Sequence, residues 1–432
     1  MRIYNFNQPG IVYGRPKVSP AVYGRKNTPS FWGVHTSPEE PKISNNPRNN
    51  TSRPYYNKYV TAETLKNLEG LQEGLKSFEG LNIEQIYAIL YMIREDGLFF
   101  PVVRGCYHNC AHCYLDAKAP IERMDYEDFH NLLSDISKMY KRFGMYSRNR
   151  HSSTLFWDSD CSETYLLDKN GKVHDLTDLT KEFYTILELT SHVDTAGWNP
   201  KSKEIQKRME RFVEYCSNNP EFLKKAITRI NLSINPFHSL QTTALKQKQK
   251  GNIENYNKLH QKYLDMVANM INTFAPLIEH PKIGFTCRVY PDFMDYPELD
   301  GFRTKNMIEL KTEIIEHFKS KYPETIEKYP KITDILENKI IPEDDFITKG
   351  GRDNQFKQFS RTWIKLRPLK ELKSNEDLIK RAFLVSRAYI DLNGDFYMIN
   401  DYESYKTNLR LNIGKDTNKP MRPPVHSQIV EI

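Results

Sequence analysis

No stretch of the chain approaches the roughly 18 consecutive apolar residues of a membrane-spanning helix. Its opening residues, MRIYNFNQPG, lack the apolar core of a secretory signal. A soluble, cytoplasmic protein with no membrane partner is the expectation. A long basic block is also missing: 62 Lys and Arg against 55 Asp and Glu leave a net charge of +7, scattered over 432 residues. With no RNA-binding module or basic aromatic patch, nucleic acid is not an expected partner. Cysteine is scarce. There are six, Cys106, Cys110, Cys113, Cys161, Cys216 and Cys287. Three crowd into one short segment and three stand alone. That excludes the even, spread spacing of a disulfide scaffold and points to metal or redox chemistry.

Hydrophobic residues make up 39%, enough for a sizeable core. The length permits two to four domains, although one α/β barrel can use about 250 residues. Residues 1–60 are rich in Pro, Asn, Ser, Tyr and Arg without a hydrophobic period, and read as a flexible or extended tail. The tail repeats Val12-Tyr13-Gly14-Arg15 as Val22-Tyr23-Gly24-Arg25. In 61–97, Leu65, Leu68, Leu71, Leu75, Phe78 and Leu81 recur at helical steps, interrupted by Gly70, Gly74 and Gly80, which predicts two or more short helices.

From residue 98 to about 370, strand and helix signals alternate. Strands are predicted at Leu98–Val103, Ser153–Trp157, Val193–Thr195, Ile227–Ile234, Ile283–Tyr290 and Thr362–Leu366. Helices are expected near 122–143, 177–190, 201–218, 253–275 and 303–321. Such alternation implies a parallel sheet or barrel. The segment 322–360 is polar and reads as an irregular insertion. Residues 371–432 form a C-terminal extension in which Asn393-Gly394, between two apolar runs, signals a hairpin.

The most informative segment is Arg104-Gly105-Cys106-Tyr107-His108-Asn109-Cys110-Ala111-His112-Cys113-Tyr114, a C-x3-C-x2-C loop after an apolar strand. Three thiolates can hold three irons of a cubane and leave the fourth without a ligand from this motif, the open position that metal catalysis needs. A structural zinc site completed by His108 or His112 is the competing reading, but zinc ligands usually come as two separated pairs and no second pair exists.

This loop resembles that of the radical S-adenosylmethionine enzymes. The resemblance spans roughly residues 98–400. It implies a [4Fe–4S] cluster on Cys106, Cys110 and Cys113, S-adenosylmethionine on the fourth iron, and an electron donor such as flavodoxin or ferredoxin. It also implies reductive cleavage to a 5′-deoxyadenosyl radical that abstracts a substrate hydrogen. The implied fold is α/β, a partial (β/α)6 TIM-like barrel over 98–370, with an N-terminal tail and helical segment and a C-terminal cap.

Other cofactor contacts follow from the same resemblance. His112 precedes the third cysteine, where the family often has an aromatic or His. The family's Gly-Gly-Glu, which receives the methionine amino group, corresponds to Trp157–Glu163. The glycines are absent there, but Ser159, Asp160 or Glu163 can accept from an ammonium. Cys161 in that loop reads as inert. Thr195–Asn199 is similar to a Thr-Asn-Gly turn. Ser233 and Asn235 share a parity and face the ribose and carboxylate, while His238 is a substrate contact or a helix cap. Arg288, within an apolar strand, needs a carboxylate partner, either the cofactor's or a structural one. Tyr389–Met398 resembles the hairpin that opens the extension of peptide-modifying members, here without the cysteines of their auxiliary clusters. A peptide or protein is therefore the first expectation for the substrate, and a small metabolite the second. A cluster- or zinc-binding regulator without catalysis is the reading outside the enzyme class.

Overall fold

The computed structural model describes residues 69–108, 110, 120–143, 152–153, 155, 159–234, 236–289, 304–341, 343–344, 365–368, 386–394 and 396–400. All belong to one unit, Asn57–Ile432. The expected tail 1–60 and the first two residues of the leucine stripe, Leu65 and Leu68, lie outside them. The described part of the stripe is not an α-helix. Gly70, Gly74 and Gly80 take φ values of 92°, 76° and 78°, which the helical ladder cannot accommodate, so the chain makes turns and a single 3-10 turn, Lys76–Phe78. The helix comes later, as α1 (Ile83–Asp96). The Asn82 side chain accepts from Gln85 N–H, the Gln85 side chain accepts from Asn82 N–H, and Gly97 at φ 85° ends the helix. Ile86, Ile89, Leu90 and Ile93 are buried along it.

The expected strand Leu98–Val103 is two short strands, β1 (Leu98–Phe99) and β2 (Val103–Arg104). Pro101 stands between them and has no N–H to carry a ladder through. β2 pairs antiparallel with β3 (Glu122–Arg123). Then follow α2 (Tyr126–Arg142), β4 (Ser152–Ser153), a ribbon of β5 (Tyr165–Leu167) and β6 (Val173–Asp175), α3 (Leu176–Leu187) and β7 (Thr190–Thr195). Next come α4 (Lys203–Asn218), α5 (Pro220–Ala226) and β8 (Ile227–Ser233). After them lie α6 (Ser239–Gln249), which the periodicity missed, α7 (Ile253–Phe274), β9 (Ile283–Thr286) and β10 (Arg288–Val289). The remaining elements are α8 (Thr304–Lys321), α9 (Pro323–Lys328), α10 (Ile332–Lys339), β11 (Glu343–Asp344), β12 (Lys365–Pro368), β13 (Ser386–Ile390) and β14 (Phe396–Asn400).

The main sheet is parallel and runs β4-β7-β8-β9, in the order of the chain. One of its faces is apolar: Ile230, Leu232, Ile283 and Phe285 are buried. The opposite parity carries Asn231, Ser233, Gly284 and Thr286, paired across the ladder as Asn231 with Gly284 and Ser233 with Thr286. A Cβ at Gly284 would sit 2.6 Å from Arg229 Nη2, so the flexible Arg229 side chain, which lies over Gly284, would have to shift.

The fold is mixed α/β, and among the described residues no closed barrel forms. Two of the six expected strands are placed elsewhere. β1 pairs with β13, and β12 pairs antiparallel with β14 in a separate sheet ordered β1-β13-β14-β12. The hairpin explains this. Its Asn393-Gly394 turn, with Gly394 at φ 80° and Asp391 Oδ1 accepting from Asn393 N–H at 2.9 Å, presents two strand edges that capture β1 and β12. Phe396 stacks on Phe78 at 5.3 Å, so the hairpin packs on the 3-10 turn. One hydrogen bond, Val102 N–H to Leu155 O at 3.2 Å, ties the β1–β2 segment to the chain after β4. The insertion expected to be irregular opens with α9 and α10, whose Ile332 and Leu336 are buried.

Candidate metal and cofactor site

Four chain segments meet where β2, β7 and β8 end. The first is the cysteine loop. Gly105, at φ 98°, turns the chain out of β2, which a side chain would resist. Cys106 and Cys110 are half-buried, and His108 between them is buried. His108 N–H donates to Cys106 Sγ at 3.4 Å. Burial pushes the Cys106 thiol well above its ordinary pKa, and the charges of Glu163, Asp160 and Cys110 push it further.

The second segment is Ser159–Glu163, where Cys161–Glu163 form a 3-10 turn capped by Asp160. Asp160 is almost fully buried and saturated with donors. Its Oδ1 accepts from Ser162 N–H at 2.9 Å and Thr195 Oγ1 at 2.8 Å, and its Oδ2 accepts from Ala196 N–H at 2.7 Å. Burial would raise its pKa, but His108 and these donors outweigh that and hold it below the ordinary carboxylate value. Thr195 ends β7, the third segment, and Gly197 follows at φ 93°.

The fourth segment is His238, the N-cap of α6. Its Nδ1 accepts from Leu240 N–H at 3.2 Å, so the neutral ring carries its proton on Nε2, which lies 3.1 Å from His108 Nδ1. His238 therefore donates to His108, and neutral His108 presents its own proton from Nε2, 3.3 Å from Asp160 Oδ2. That contact has ion-pair distance without hydrogen-bond alignment, leaving His108 Nε2 buried and short of a hydrogen bond. Burial alone would lower the His108 pKa. The Asp160 and Glu163 carboxylates more than offset it.

Glu163 completes the cluster. Its carboxylate accepts from Tyr107 N–H, at 3.2 Å to one oxygen and 3.4 Å to the other. Burial, with Asp160 adding to it, pushes its pKa up to about 7 against the pull of His108. Ligand atoms of Cys106, His108 and Glu163 all lie within 4.8 Å of one another. The three could hold a metal ion, and a thiolate, an imidazole and a carboxylate are ligand types that zinc and iron accept.

The structure thus brings together Cys106, Cys110, Asp160 and Glu163 of the residues predicted from sequence. Ser159 turns its hydroxyl onto the Asp160 carbonyl at 3.3 Å. Ser233 is half-buried at the end of β8, on the polar face of the sheet. Arg288 lies in β10, which pairs with β11. Cys113, His112 and Asn235 lie outside the described residues. Cys161 is fully buried, its thiol pushed up by burial and by Asp160 and Asp194, as suits an inert cysteine. His238 is a helix cap and also a partner of His108. Sequence reasoning missed His108 as the anchor of the loop. A histidine inside a cysteine run was the available signal, but only tertiary contacts distinguish an anchor from a ligand.

No protein-family model matches the chain, and no curated protein matches it.

Proposed function

We propose that this chain is a radical S-adenosylmethionine enzyme with Cys106, Cys110 and Cys113 as its cluster ligands. The observation that carries the reading is the C-x3-C-x2-C spacing on a loop whose His108, between the first two cysteines, meets His238 at the start of α6 and Asp160, itself bonded to the end of β7. A sheet that adds strands in chain order, from β4 to β9, suits one wall of a partial barrel, whose functional loops lie at the strands' C-terminal ends. The donor set fits a cluster. Burial and the neighbouring carboxylates disfavour a bare thiolate at half-buried Cys106, and iron would supply the missing positive charge.

When bound, the [4Fe–4S] cluster supplies the electron that cleaves S-adenosylmethionine to the 5′-deoxyadenosyl radical. This chain's own residues position the loop and receive the cofactor. His108 and His238 pin the loop to Asp160. Asp160 has its oxygens filled, so Glu163, beside Cys106, is the better acceptor for the cofactor ammonium. An electron donor such as flavodoxin or ferredoxin, and a peptide or protein substrate ahead of a small metabolite, complete the proposal.

The test is anaerobic reconstitution with iron and sulfide, reduction with dithionite in the presence of S-adenosylmethionine, and assay for 5′-deoxyadenosine. Product from wild type and none from Cys110→Ala is expected; a loaded cluster that never yields product overturns the enzymatic reading. The grouping of Cys106, His108 and Glu163 favours one second reading, a mononuclear zinc site. Bound zinc without iron, lost in His108→Ala, selects it.

A further inference from the structure

Tyr165, the first residue of β5, carries two guanidinium groups against its ring. Arg123 Cζ, from β3, lies 4.1 Å from the ring centroid, and Arg208 Cζ, from α4, lies 4.7 Å from it. Their Cζ atoms are therefore less than about 9 Å apart. Neither has a carboxylate at ion-pair distance among the described residues. Arg123 makes one hydrogen bond, Nη2 to the Glu163 carbonyl at 3.4 Å. The Nε atoms of both arginines are buried without a partner among the described residues.

Acids nearby are already engaged. Asp175 and Asp178 each hold Arg211 at 2.7 Å. Glu204 pairs with Lys207 at 3.6 Å, and Glu163 accepts from Tyr107 N–H. Two half-buried guanidinium groups held on one ring, each with unmet donors, repel each other. Cation–π attraction to Tyr165 offsets this only in part.

We propose that Arg123, Arg208 and Tyr165 form a binding site for a phosphate dianion, as the free ion or as the phosphoryl group of a ligand. The charge count selects a dianion over a carboxylate, because one phosphate neutralises both cations and offers enough oxygens for both forks. The site stands independently of what the cysteine loop binds. Through Arg123 it abuts the turn that carries Glu163.

The test is calorimetric titration of the purified full chain with inorganic phosphate, methyl phosphate and acetate. Saturable phosphate binding is expected, at least about tenfold weaker in Arg208→Gln and in Arg123→Gln. Acetate should bind far more weakly. Tighter binding of methyl phosphate than of inorganic phosphate assigns the site to a phosphorylated ligand, and equal or weaker binding assigns it to the free ion. Thermal melts separate this from misfolding. Without phosphate, Arg208→Gln should melt at or above wild type, because an unpaired charge has gone. With phosphate, only wild type should rise. No saturable binding, equal binding by wild type and both variants, or acetate as good as phosphate overturns the proposal.

Discussion

His108 Nδ1 lies 3.1 Å from His238 Nε2, joining the cysteine loop to the N-terminus of α6 across 130 residues of chain. Both rings are buried. Because Leu240 N–H occupies His238 Nδ1, the direction of donation from His238 to His108 is set for the neutral rings. The loop that carries Cys106 and Cys110 is thus oriented by a strand end and a helix cap distant in sequence.

Removing that donor should loosen the loop. His238→Ala leaves His108 Nδ1 buried and unsatisfied, a cost of about 1–3 kcal/mol. Urea unfolding of the metal-free protein measures it, and iron retained after reconstitution reports the loop. His238→Gln, which can still donate, should recover part of both. Unchanged stability and unchanged iron in His238→Ala would show that the contact orients nothing.

Glu163 makes stability depend on pH in the metal-free protein. Its pKa in the fold is about 7, above its ordinary 4.5. The fold therefore prefers the protonated carboxyl, and the penalty for ionising it grows as pH rises from 4.5 through 7. Above that window it reaches on the order of 3 kcal/mol. Glu163→Gln should change stability little at pH 4.5 and raise it at pH 8, less the value of the Tyr107 N–H bond. Urea melts at the two pH values decide, and equal effects at both would contradict the burial account.

Gly197 sits where Ala196 N–H meets Asp160. It has φ 93°, and a Cβ there would lie 3.1 Å from Met266 Cγ. Gly197→Ala should cost about 1–3 kcal/mol through strain and crowding together. Gly171, at φ 77° with nothing within 4 Å of its Cβ position, isolates the backbone cost alone. Gly171→Ala should therefore be the milder change. Chemical denaturation of the two variants side by side is the check, and a Gly171 variant as unstable as the Gly197 variant would remove the role of Met266.

Thiol chemistry separates the cysteines. Cys161, Cys216 and Cys287 are fully buried, whereas Cys106 and Cys110 are half-buried. Cys161→Ala should leave iron content unchanged, and Cys110→Ala should abolish it. Native-state alkylation of the metal-free protein should label Cys110 ahead of Cys106, whose thiolate burial and the nearby carboxylates disfavour, and spare the three buried ones. Iron analysis and peptide mass mapping read both outcomes, and iron lost from Cys161→Ala would give that residue a role the geometry denies it.

Much of the secondary structure was legible. The apolar periods of α2, α4, α7 and β8 appear where burial places them, because each element covers one continuous apolar face. The hairpin was legible from Asn393-Gly394, since few turns tolerate other residues there. The leucine stripe misled because spacing says nothing about φ, and three glycines left the helical region. α6 escaped because its buried residues, Gln241, Thr242 and Ala244, carry no apolar stripe. Strand partners escaped as well, because pairing is decided by which edges are free. Thr362–Leu366 looked like one more parallel strand, yet the described part of it completes the hairpin sheet.

By itself the sequence determined the thiol spacing, the alternation of strand and helix, and the hairpin turn, all properties of neighbouring residues. Only the tertiary structure decided that His108 anchors the cysteine loop, that Asp160 is spent on Ser162, Thr195 and Ala196, and that Glu163 stands beside Cys106. The physical reason is that a buried polar group takes whatever partner the packing brings within hydrogen-bond reach. Those partners come from strand ends far apart in the chain, where local sequence carries no record of them.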